Sequence, residues 1–255
     1  KALNIQPDYA EAHNNLGFVL NELGNLDDAV DSYRKALSIK PDFANAHSNL
    51  LLTMSFMSCF DGAAVFAAAC RAGTVFESPF ADRRSTRHAN NPDPNRPLNV
   101  GYLSPSLTEH VLSPYLEPVF KVHRRNRVSV HVYAHVSRPD DTTWRIKELA
   151  DSWTLVHGLT DDQVAERIIE DGIDILVDPM GHWSSNRLSV FARKPAPIQV
   201  SYLCQNLTTG LSKMDYVIGD RWLNEGGVMQ NFATERVVEL DGGFQTTSYD
   251  HETPI

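Results

Sequence analysis

The chain has 255 residues, of which 42% are apolar and 22% charged, a composition that suits a protein with a buried core rather than a disordered one. Lysine and arginine number 23 against 32 aspartates and glutamates, and the resulting net charge of −9 argues against a protein that covers nucleic acid with a basic face. The longest apolar run, 63–70, is far shorter than the ~20 residues that span a bilayer. We expect one or two domains that bind neither nucleic acid nor a membrane.

Three cysteines, Cys59, Cys70 and Cys204, form neither a C-x-x-C pair nor an even set. This gives little support to a disulfide framework or a structural zinc site, and it fits a reducing compartment. We therefore expect a cytoplasmic protein. Because the sequence begins at Lys1 within a helical pattern, we also expect it to be an excerpt of a longer chain.

A repeat of 34 residues opens the chain, since KALNIQPDYAEAHNNL at 1–16 returns as KALSIKPDFANAHSNL at 35–50. This period, with alanines where helices cross closely, is typical of tetratricopeptide repeats, which are pairs of antiparallel helices. We predict helices over Ala10–Leu23 and Leu26–Ile39, and a third from Ala44 to about Phe56. Fewer than two full repeats cannot stack stably alone, so we expect more repeats before Lys1.

Asn15 and Asn49 occupy equivalent positions in the two repeats and therefore share one face. A side-chain amide both donates and accepts hydrogen bonds, so such a row can hold the backbone of an extended peptide without reading its side chains. The alternative is that these amides fix the geometry between the helices. The repeat pattern leaves both interpretations open.

Residues 78–97 are rich in proline, asparagine and arginine and cannot continue a helix. We interpret them as a linker between a region of repeats and trailing helices, 1–77, and a second domain, 98–255. The arginines of this segment are expected to form a solvated connector rather than an anion site; they are Arg83, Arg84, Arg87 and Arg96.

From Leu98 onwards, short β-branched runs alternate with helical ones, which predicts a parallel sheet covered by helices on both faces. The predicted strands are Leu98–Ser104, Val128–His135, Ile173–Asp178, Pro197–Leu203 and Tyr216–Ile218. The predicted helices are Ser113–Arg125, Thr142–Ala150, Asp161–Asp171 and Asn186–Ala192.

Ligands of such sheets bind beyond the carboxyl ends of the strands, so the loops there form the candidate site. Two of three such loops contain a histidine, His110 in 104–110 and His182 in 179–187, and the third loop is 204–210. A histidine there can act as a base, a donor or a metal ligand, or it can simply cap a helix or pair with a carboxylate. No glycine-rich phosphate motif, HExxH spacing or nucleophile elbow is present. The residues alone thus indicate a polar pocket with histidines without identifying a reaction.

Seven motifs follow the repeats in a fixed order: LNVGYLSPSLTEH at 98–110, DGIDILVD at 171–178, GH at 181–182, NRL at 186–188, FARKPAPIQV at 191–200, TTG at 208–210 and MDY at 214–216. Because these motifs occur in this order, the chain resembles the O-linked N-acetylglucosamine transferase and SPINDLY-type family, most closely its bacterial members. The resemblance covers nearly the whole chain, and the block RKPAPIQV is its most specific part.

The resemblance implies tetratricopeptide repeats followed by a Rossmann-like lobe, the N-terminal half of a GT-B-like fold. It implies an inverting glycosyltransferase that needs neither a metal nor a cofactor. The donor would be UDP-N-acetylglucosamine or another nucleotide sugar, and the acceptors would be Ser and Thr of proteins guided by the repeat groove.

The resemblance also assigns roles to residues. His110 would be the catalytic histidine and a candidate base, with Asp171 or Asp178 acting through water as the alternative. The other implied residues are the sugar-pocket residues His182, Asp178, Thr208, Thr209 and Gly210, and the acceptor-binding residues Asn15 and Asn49.

Three departures from the family pattern surround this pocket. Ser106-Leu107 replaces the usual Asp-Phe or Asp-Leu, Trp183 stands where a threonine is usual, and segment 204–207 lacks the usual glycine and proline. The sequence also stops where the second lobe of the family begins, so we expect the 255-residue chain alone not to turn over a nucleotide sugar. Two alternatives remain: a repeat-based binding module with a decayed, inactive lobe, and an O-fucosyltransferase that uses GDP-fucose.

Overall fold

The computed structural model describes residues 2–81, 88–203 and 207–245. The predicted helices of the repeat region are confirmed to within one residue at each end, and a 3₁₀ turn, Ser78–Phe80, follows the last helix. The helices are α1 (Ala2–Ile5), α2 (Ala10–Glu22), α3 (Leu26–Ile39), α4 (Ala44–Ser55) and α5 (Gly62–Glu77).

The small residues of the repeat lie where α2 and α3 touch. A methyl group on Gly17 would lie 2.7 Å from the ring of Tyr33, which is itself buried. Ala29 and Ala36 of α3 are fully buried. Larger side chains here would push the helices apart, because a close-packed interior has no space for them.

In the described part of the second domain, seven strands pair in parallel in the order β3-β2-β1-β4-β5-β6-β7, which confirms the predicted α/β lobe. The strands are β1 (Leu98–Ser104), β2 (Val128–Ala134), β3 (Ser152–Leu155), β4 (Ile175–Asp178), β5 (Ile198–Ser201), β6 (Tyr216–Asp220) and β7 (Arg236–Leu240). The helices are α6 (Ser113–Val122), α7 (Asp141–Lys147), α8 (Asp161–Glu170), α9 (Leu188–Ala192) and α10 (Val228–Asn231).

The sequence did not predict β3 and β7, which form the two edges of the sheet. No residue of β3 is fully buried, and four of the five residues of β7 are exposed. An edge strand that buries so little lacks the apolar run by which central strands are recognised. The five predicted strands are the ones between these edges.

The strand order reverses beside β1. The chain runs from β1 outward through β2 to β3, then crosses back to place β4 on the other side of β1. Such a switch point opens a crevice beyond the carboxyl ends of the two central strands, because the connections on either side lead away from it.

Helix α5 packs directly on the loop that precedes β6. A methyl group on Gly73 would lie 1.9 Å from the carbonyl oxygen of Gly210, and one on Gly210 would lie 2.0 Å from the carbonyl oxygen of Ala69. Phe76 of the same helix is part of a hydrophobic core of the α/β lobe. The helical region and the lobe are therefore joined by backbone contact and a shared core.

The end of the predicted linker is fastened to the lobe. Arg96 donates to both carboxylate oxygens of Asp174, at 2.7 and 2.6 Å, and Asn90 donates to the same carboxylate at 2.7 Å. Because the Arg96 side chain is only 20% exposed, it belongs to a largely buried ion pair and not to the solvated connector that the sequence predicted. Arg83, Arg84 and Arg87 lie outside the described residues.

Candidate functional site

A polar groove of about 420 Å³ lies between the repeat helices and the carboxyl edge of the sheet. We call it the asparagine groove. The helices α2 and α4 form one wall, and the other wall is formed by His135 after β2 and by the loop after β4. The lining residues are Asn14, Asn15, Phe18, Asn45, Ser48, Asn49, His135, Trp183, Ser184, Ser185 and Asn186.

The two predicted acceptor-binding amides both line this groove but differ in their bonding. Asn15 is exposed, whereas Asn49 is half-buried and donates from Nδ2 to Oδ1 of Asn14 at 3.0 Å. Asn49 thus fixes the geometry between α2 and α4 with one donor, while its remaining polar groups are not engaged by that bond. The bond to Asn14 supports the helix-geometry interpretation for Asn49, and peptide binding by Asn15 and Asn49 stays a prediction.

A second cavity, of about 410 Å³, lies beyond the carboxyl ends of β1, β2, β3 and β4. We call it the strand-edge cavity, and it occupies the switch-point crevice. It shares His135 and Ser185 with the asparagine groove, so these two residues lie at the junction of the groove and the cavity. Its lining consists of Pro105, Thr108, His135, Val136, Ser137, Arg138, Asp140, His157 and Ser185.

His110, the predicted catalytic residue, lines a third cavity of about 250 Å³ together with Glu117, Thr142 and Arg145. This cavity shares no lining residue with the asparagine groove. The Nδ1 atom of His110 accepts from the backbone N–H of Leu112 at 3.2 Å, and burial lowers the pKa of the ring. The neutral ring therefore has its hydrogen on Nε2 and is a donor in this arrangement, not a proton acceptor.

His182 is buried where α4 meets the lobe. Its Nε2 donates to the carbonyl oxygen of Thr209 at 2.9 Å, and its Nδ1 accepts from the hydroxyl of Ser48 at 2.9 Å. Burial lowers the pKa of this imidazole to about 4, although the bond to Thr209 opposes the shift. In this position His182 joins the repeats to the lobe as a neutral ring.

Asp178 ends β4 and shapes the loop that follows. Its carboxylate accepts from the backbone N–H groups of Met180 and Gly181, both at 3.0 Å. Burial raises the pKa of this carboxyl to about 6 against the effect of those two bonds. Asp171, the other candidate aspartate, precedes β4 at the opposite edge of the sheet, where it accepts from Tyr133 and Arg167.

Thr208 and Thr209 converge on a buried carboxylate that the sequence reasoning missed, and the backbone N–H of Gly210 donates to the hydroxyl of Thr208. Glu235, just before β7, accepts from the backbone N–H of Thr209 at 2.7 Å and from the hydroxyls of Thr208 and Thr209. Glu235 is 1% exposed, so its hydroxyl and amide partners satisfy carboxyl oxygens that are removed from water. The sequence signal that could have identified Glu235 is its position directly before β7, an edge strand that the sequence did not predict.

His135 was also missed, because the sequence reasoning placed it inside the strand 128–135. The strand ends one residue earlier, at Ala134, so His135 is the first residue of the edge where ligands bind. Its side chain borders both the asparagine groove and the strand-edge cavity. Of the histidines considered so far, it is the one that faces the repeat asparagines.

Metal-binding clusters and membrane-spanning helices are both absent from the described ranges. Across residues 2–81, 88–203 and 207–245, no three His, Cys, Asp or Glu side chains are grouped so as to hold a metal ion. No helix within those ranges is both long and apolar enough to cross a membrane.

Comparison with known proteins shows what this arrangement belongs to. The family model for glycosyl transferase family 41 matches residues 46–240, and the tetratricopeptide repeat model matches residues 10–43. The first match covers well over half of the chain, and the chain therefore belongs to glycosyltransferase family 41. The resemblance drawn from the motifs is confirmed.

Relatives of known name support this membership. The chain is 36% identical over 132 residues to SPINDLY of Arabidopsis thaliana, named as a probable UDP-N-acetylglucosamine–peptide N-acetylglucosaminyltransferase, and the match covers 50% of this chain and 14% of that protein. It is 36% identical over 126 residues to the UDP-N-acetylglucosamine–peptide N-acetylglucosaminyltransferase of Caenorhabditis elegans, covering 48% and 11%. The chain thus spans a small part of the relatives that it matches.

A solved structure matches almost the whole chain. A mutant of the O-GlcNAc transferase of Thermobaculum terrenum superposes with a TM-score of 0.89 at 36% identity, over 96% of this chain and 46% of that one. The described lobe therefore has the fold of one half of a GT-B glycosyltransferase, as the motifs predicted.

Proposed function

We propose that this chain provides the acceptor groove and the N-terminal lobe of a protein O-N-acetylglucosaminyltransferase. The supporting observation is the asparagine groove, which lies between the repeats and the strand edge and opens into the switch-point crevice. In doubly wound sheets that crevice is where substrates bind. The names of the relatives supply the reaction, transfer of N-acetylglucosamine from UDP-N-acetylglucosamine to a peptide.

In this proposal the groove binds an extended segment of the acceptor protein. Asn15 presents an exposed amide, and Asn49 has an acceptor oxygen that its bond to Asn14 does not use. Amides bind a peptide backbone through both its N–H and C=O groups, so many acceptor sequences would fit. The segment then reaches the strand-edge cavity, where a Ser or Thr hydroxyl would meet the sugar donor.

The proposal of His110 as the catalytic histidine rests on the family resemblance, because His110 lines neither the asparagine groove nor the strand-edge cavity. Because its Nδ1 accepts from Leu112, the neutral ring can donate from Nε2 to an oxygen of the substrates. A general base would need Nε2 of His110 to be unprotonated.

We propose that the reaction requires no metal and no cofactor.

The comparisons do not favour the two alternatives. The relatives that match over this chain are named for transfer of N-acetylglucosamine from a UDP donor, which does not favour a GDP-fucose enzyme. A binding module with a decayed lobe finds no support in the fold, since the seven parallel strands pair in order along the sheet.

A transfer assay tests the proposal. The protein is expressed from its complete reading frame and incubated with radiolabelled UDP-N-acetylglucosamine and an unstructured peptide of proline, threonine and serine. We expect label in the peptide and, after Asn15→Ala plus Asn49→Ala, an acceptor KM raised roughly tenfold or more, because two backbone bonds of about 1 kcal/mol each are lost.

The control for this assay is Asn25→Ala, an amide of the same helical region that lies outside the groove lining and makes no capping bond. It should leave the acceptor KM unchanged. Absence of transfer by the wild-type protein would contradict the proposed reaction, and an unchanged KM in the double variant would contradict the proposed groove.

A further inference from the structure

The asparagine groove has a large aromatic ring on each of its two walls. Phe18 lies on α2, where 44% of its surface is exposed, and Trp183 lies on the loop after β4, where it is half-buried. A threonine is usual at the position of Trp183 in the family pattern, and amides that bind a peptide backbone do not need an indole beside them. The groove therefore combines amides with aromatic rings, and its proposed role in backbone binding leaves the rings unexplained.

The backbone of Trp183 is fixed by hydrogen bonds on both sides. Its N–H donates to the carbonyl oxygen of Met180 at 3.3 Å, and its own carbonyl oxygen accepts from the backbone N–H and the side-chain amide of Asn186, both at 3.0 Å. The N–H of Met180 in turn donates to Asp178, at the end of β4, at 3.0 Å. Because the backbone is fixed in this way, little conformational entropy is lost when a ligand packs against the indole.

The side chains of Trp183 and Phe18 make few specific contacts within the protein. Among the residues that the structure describes, none accepts a hydrogen bond from Nε1 of Trp183, and neither ring stacks on another aromatic or cationic side chain. An indole that is half-buried normally has a partner for its N–H. Partly exposed tryptophans of this kind are enriched where proteins bind other molecules, because they offer a large apolar face and a donor together.

A peptide segment in the polyproline II conformation fits this combination of groups. The conformation has no internal hydrogen bonds, so its carbonyl oxygens are free to accept from side-chain amides and from an indole N–H. Proline rings pack on aromatic side chains, and grooves that bind proline-rich segments are accordingly lined by aromatic residues. Proline also fixes φ at about −65°, which reduces the entropy that an extended segment loses on binding.

We propose that Trp183 is a specificity-determining residue, which packs its indole on a proline of the acceptor segment and donates from Nε1 to a carbonyl oxygen of that segment. Phe18 contacts the segment from the opposite wall of the groove. This inference rests on the proposed function and adds a sequence preference to it. Asn15 and Asn49 bind a backbone whatever its side chains are, whereas Trp183 favours segments that contain proline near the reacting Ser or Thr.

A matched pair of peptides tests this preference. One fluorescein-labelled peptide contains proline, threonine and serine, and the other has alanine in place of each proline. Both are titrated with the protein expressed from its complete reading frame, and binding is followed by fluorescence anisotropy. We expect the wild-type protein to bind the proline peptide about tenfold more tightly than the alanine peptide. Trp183→Thr should bind the two peptides with affinities within about twofold of each other, because the ring that distinguishes them is absent.

The matched control is Trp222→Thr, since Trp222 is 60% exposed and lies outside the groove lining. It should keep the preference for the proline peptide, and thermal melting should show that both variants fold. A preference that Trp183→Thr retains, or equal affinities of the wild-type protein for the two peptides, would overturn this inference. The proposed groove would then still stand if Asn15→Ala weakened the binding of both peptides. No binding of either peptide by the wild-type protein would overturn the inference and the proposed groove together.

The contact between the indole and the peptide has a readout of its own. The chain has four tryptophans, and saturation with unlabelled proline peptide should shift their emission to shorter wavelength, because the indole of Trp183 loses contact with water. The shift should persist in Trp222→Thr and disappear in Trp183→Phe, a variant that keeps an aromatic ring in the groove. A shift that is the same in Trp183→Phe and in the wild-type protein would overturn the contact.

Discussion

Three histidines near the carboxyl edge of the sheet differ in what their ring nitrogens bind. Both nitrogens of His182 are bonded to the protein, to Ser48 and Thr209. One nitrogen of His110 accepts from the backbone of Leu112, and one nitrogen of His135 accepts from Arg187. Within the residues that the structure describes, His182 thus bonds the protein through both ring nitrogens, and the ring of His135 contacts both Arg187 and the backbone carbonyl of Val156.

The neutral state of His182 makes stability depend on pH. The unfolded chain binds a proton at this ring near pH 6.5, but the folded chain binds it only near pH 4, so acidification through this window favours unfolding. For His182→Gln, which keeps a donor for Thr209, we expect the stability difference from wild type to shrink by up to about 3 kcal/mol between pH 7 and pH 4. Urea denaturation at both pH values measures it.

Protonation of Asp178 changes folding stability in the opposite direction, so its effect must be separated from that of His182. Its folded pKa of about 6 lies above the unfolded value, so the folded state binds the extra proton between about pH 6 and 4 and gains stability there. Because Asp178 is present in both proteins, its contribution cancels in the difference between wild type and His182→Gln. A difference that does not change with pH would contradict the neutral, buried His182.

For individual residues, the sequence predicted where a side chain lies better than it predicted what the side chain does. Asn15 and Asn49 could be placed on one face because the 34-residue offset makes them equivalent. The roles of His110 and His182 could not be separated, because both follow central strands and differ only in long-range partners such as Ser48. His135 was not predicted as a site residue because the predicted end of β2 was one residue too late.

At the scale of elements, the loop 207–210 acts as the docking surface for α5. Gly210 has φ +72° and sits against the backbone of Ala69, while Gly73 sits against Gly210. Glu77 extends the contact by accepting from the backbone N–H of Lys213 at 2.9 Å. Two glycines that face each other allow backbone to touch backbone across the junction.

A glycine substitution measures this contact. We expect Gly210→Ala to destabilise the protein by more than about 3 kcal/mol, because a methyl group would both strain the backbone and meet the Ala69 carbonyl oxygen. Gly158→Ala is the matched control, since Gly158 has φ +86° and a methyl group there would have nothing within 4 Å, and it should cost about 1 kcal/mol. Urea denaturation of both variants gives the comparison.

Equal losses in the two variants would show that strain alone acts at Gly210 and that the backbones do not touch. A larger loss in Gly210→Ala isolates the steric contact, because the conformational penalty is common to both. Gly73→Ala, inside a helix with no strain to add, should then also exceed the Gly158→Ala loss.

Elements were predictable where local chemistry decides them. Helix α8 begins at Asp161 as predicted, after a capping box of Thr160 and Gln163, and it ends just before Gly172, whose φ is +61°. The edge strands β3 and β7 were not predictable, since neither has the apolar run of a central strand. Their pairing is decided by neighbours that are distant in sequence.

For the whole molecule, the essential feature is that neither part forms the groove alone. The repeats contribute asparagines, the lobe contributes His135 and the loop 183–186, and a bond between Ser48 and His182 joins the two parts. The order of the parts could be predicted from the repeat period and the alternation of strands and helices. The groove itself could not, because it depends on how α5 docks on the lobe.

The most direct test of an acceptor path along this groove is a photo-crosslink. Phe18 lines the groove with 44% of its surface exposed, and Phe56 is 56% exposed but lies outside the groove lining. Each is replaced in turn by benzoylphenylalanine. A fluorescein-labelled peptide of proline, threonine and serine is then irradiated with each protein. We expect a crosslink at position 18 that unlabelled peptide competes away, and none at position 56. Equal crosslinking at the two positions, or none at position 18, would contradict the account.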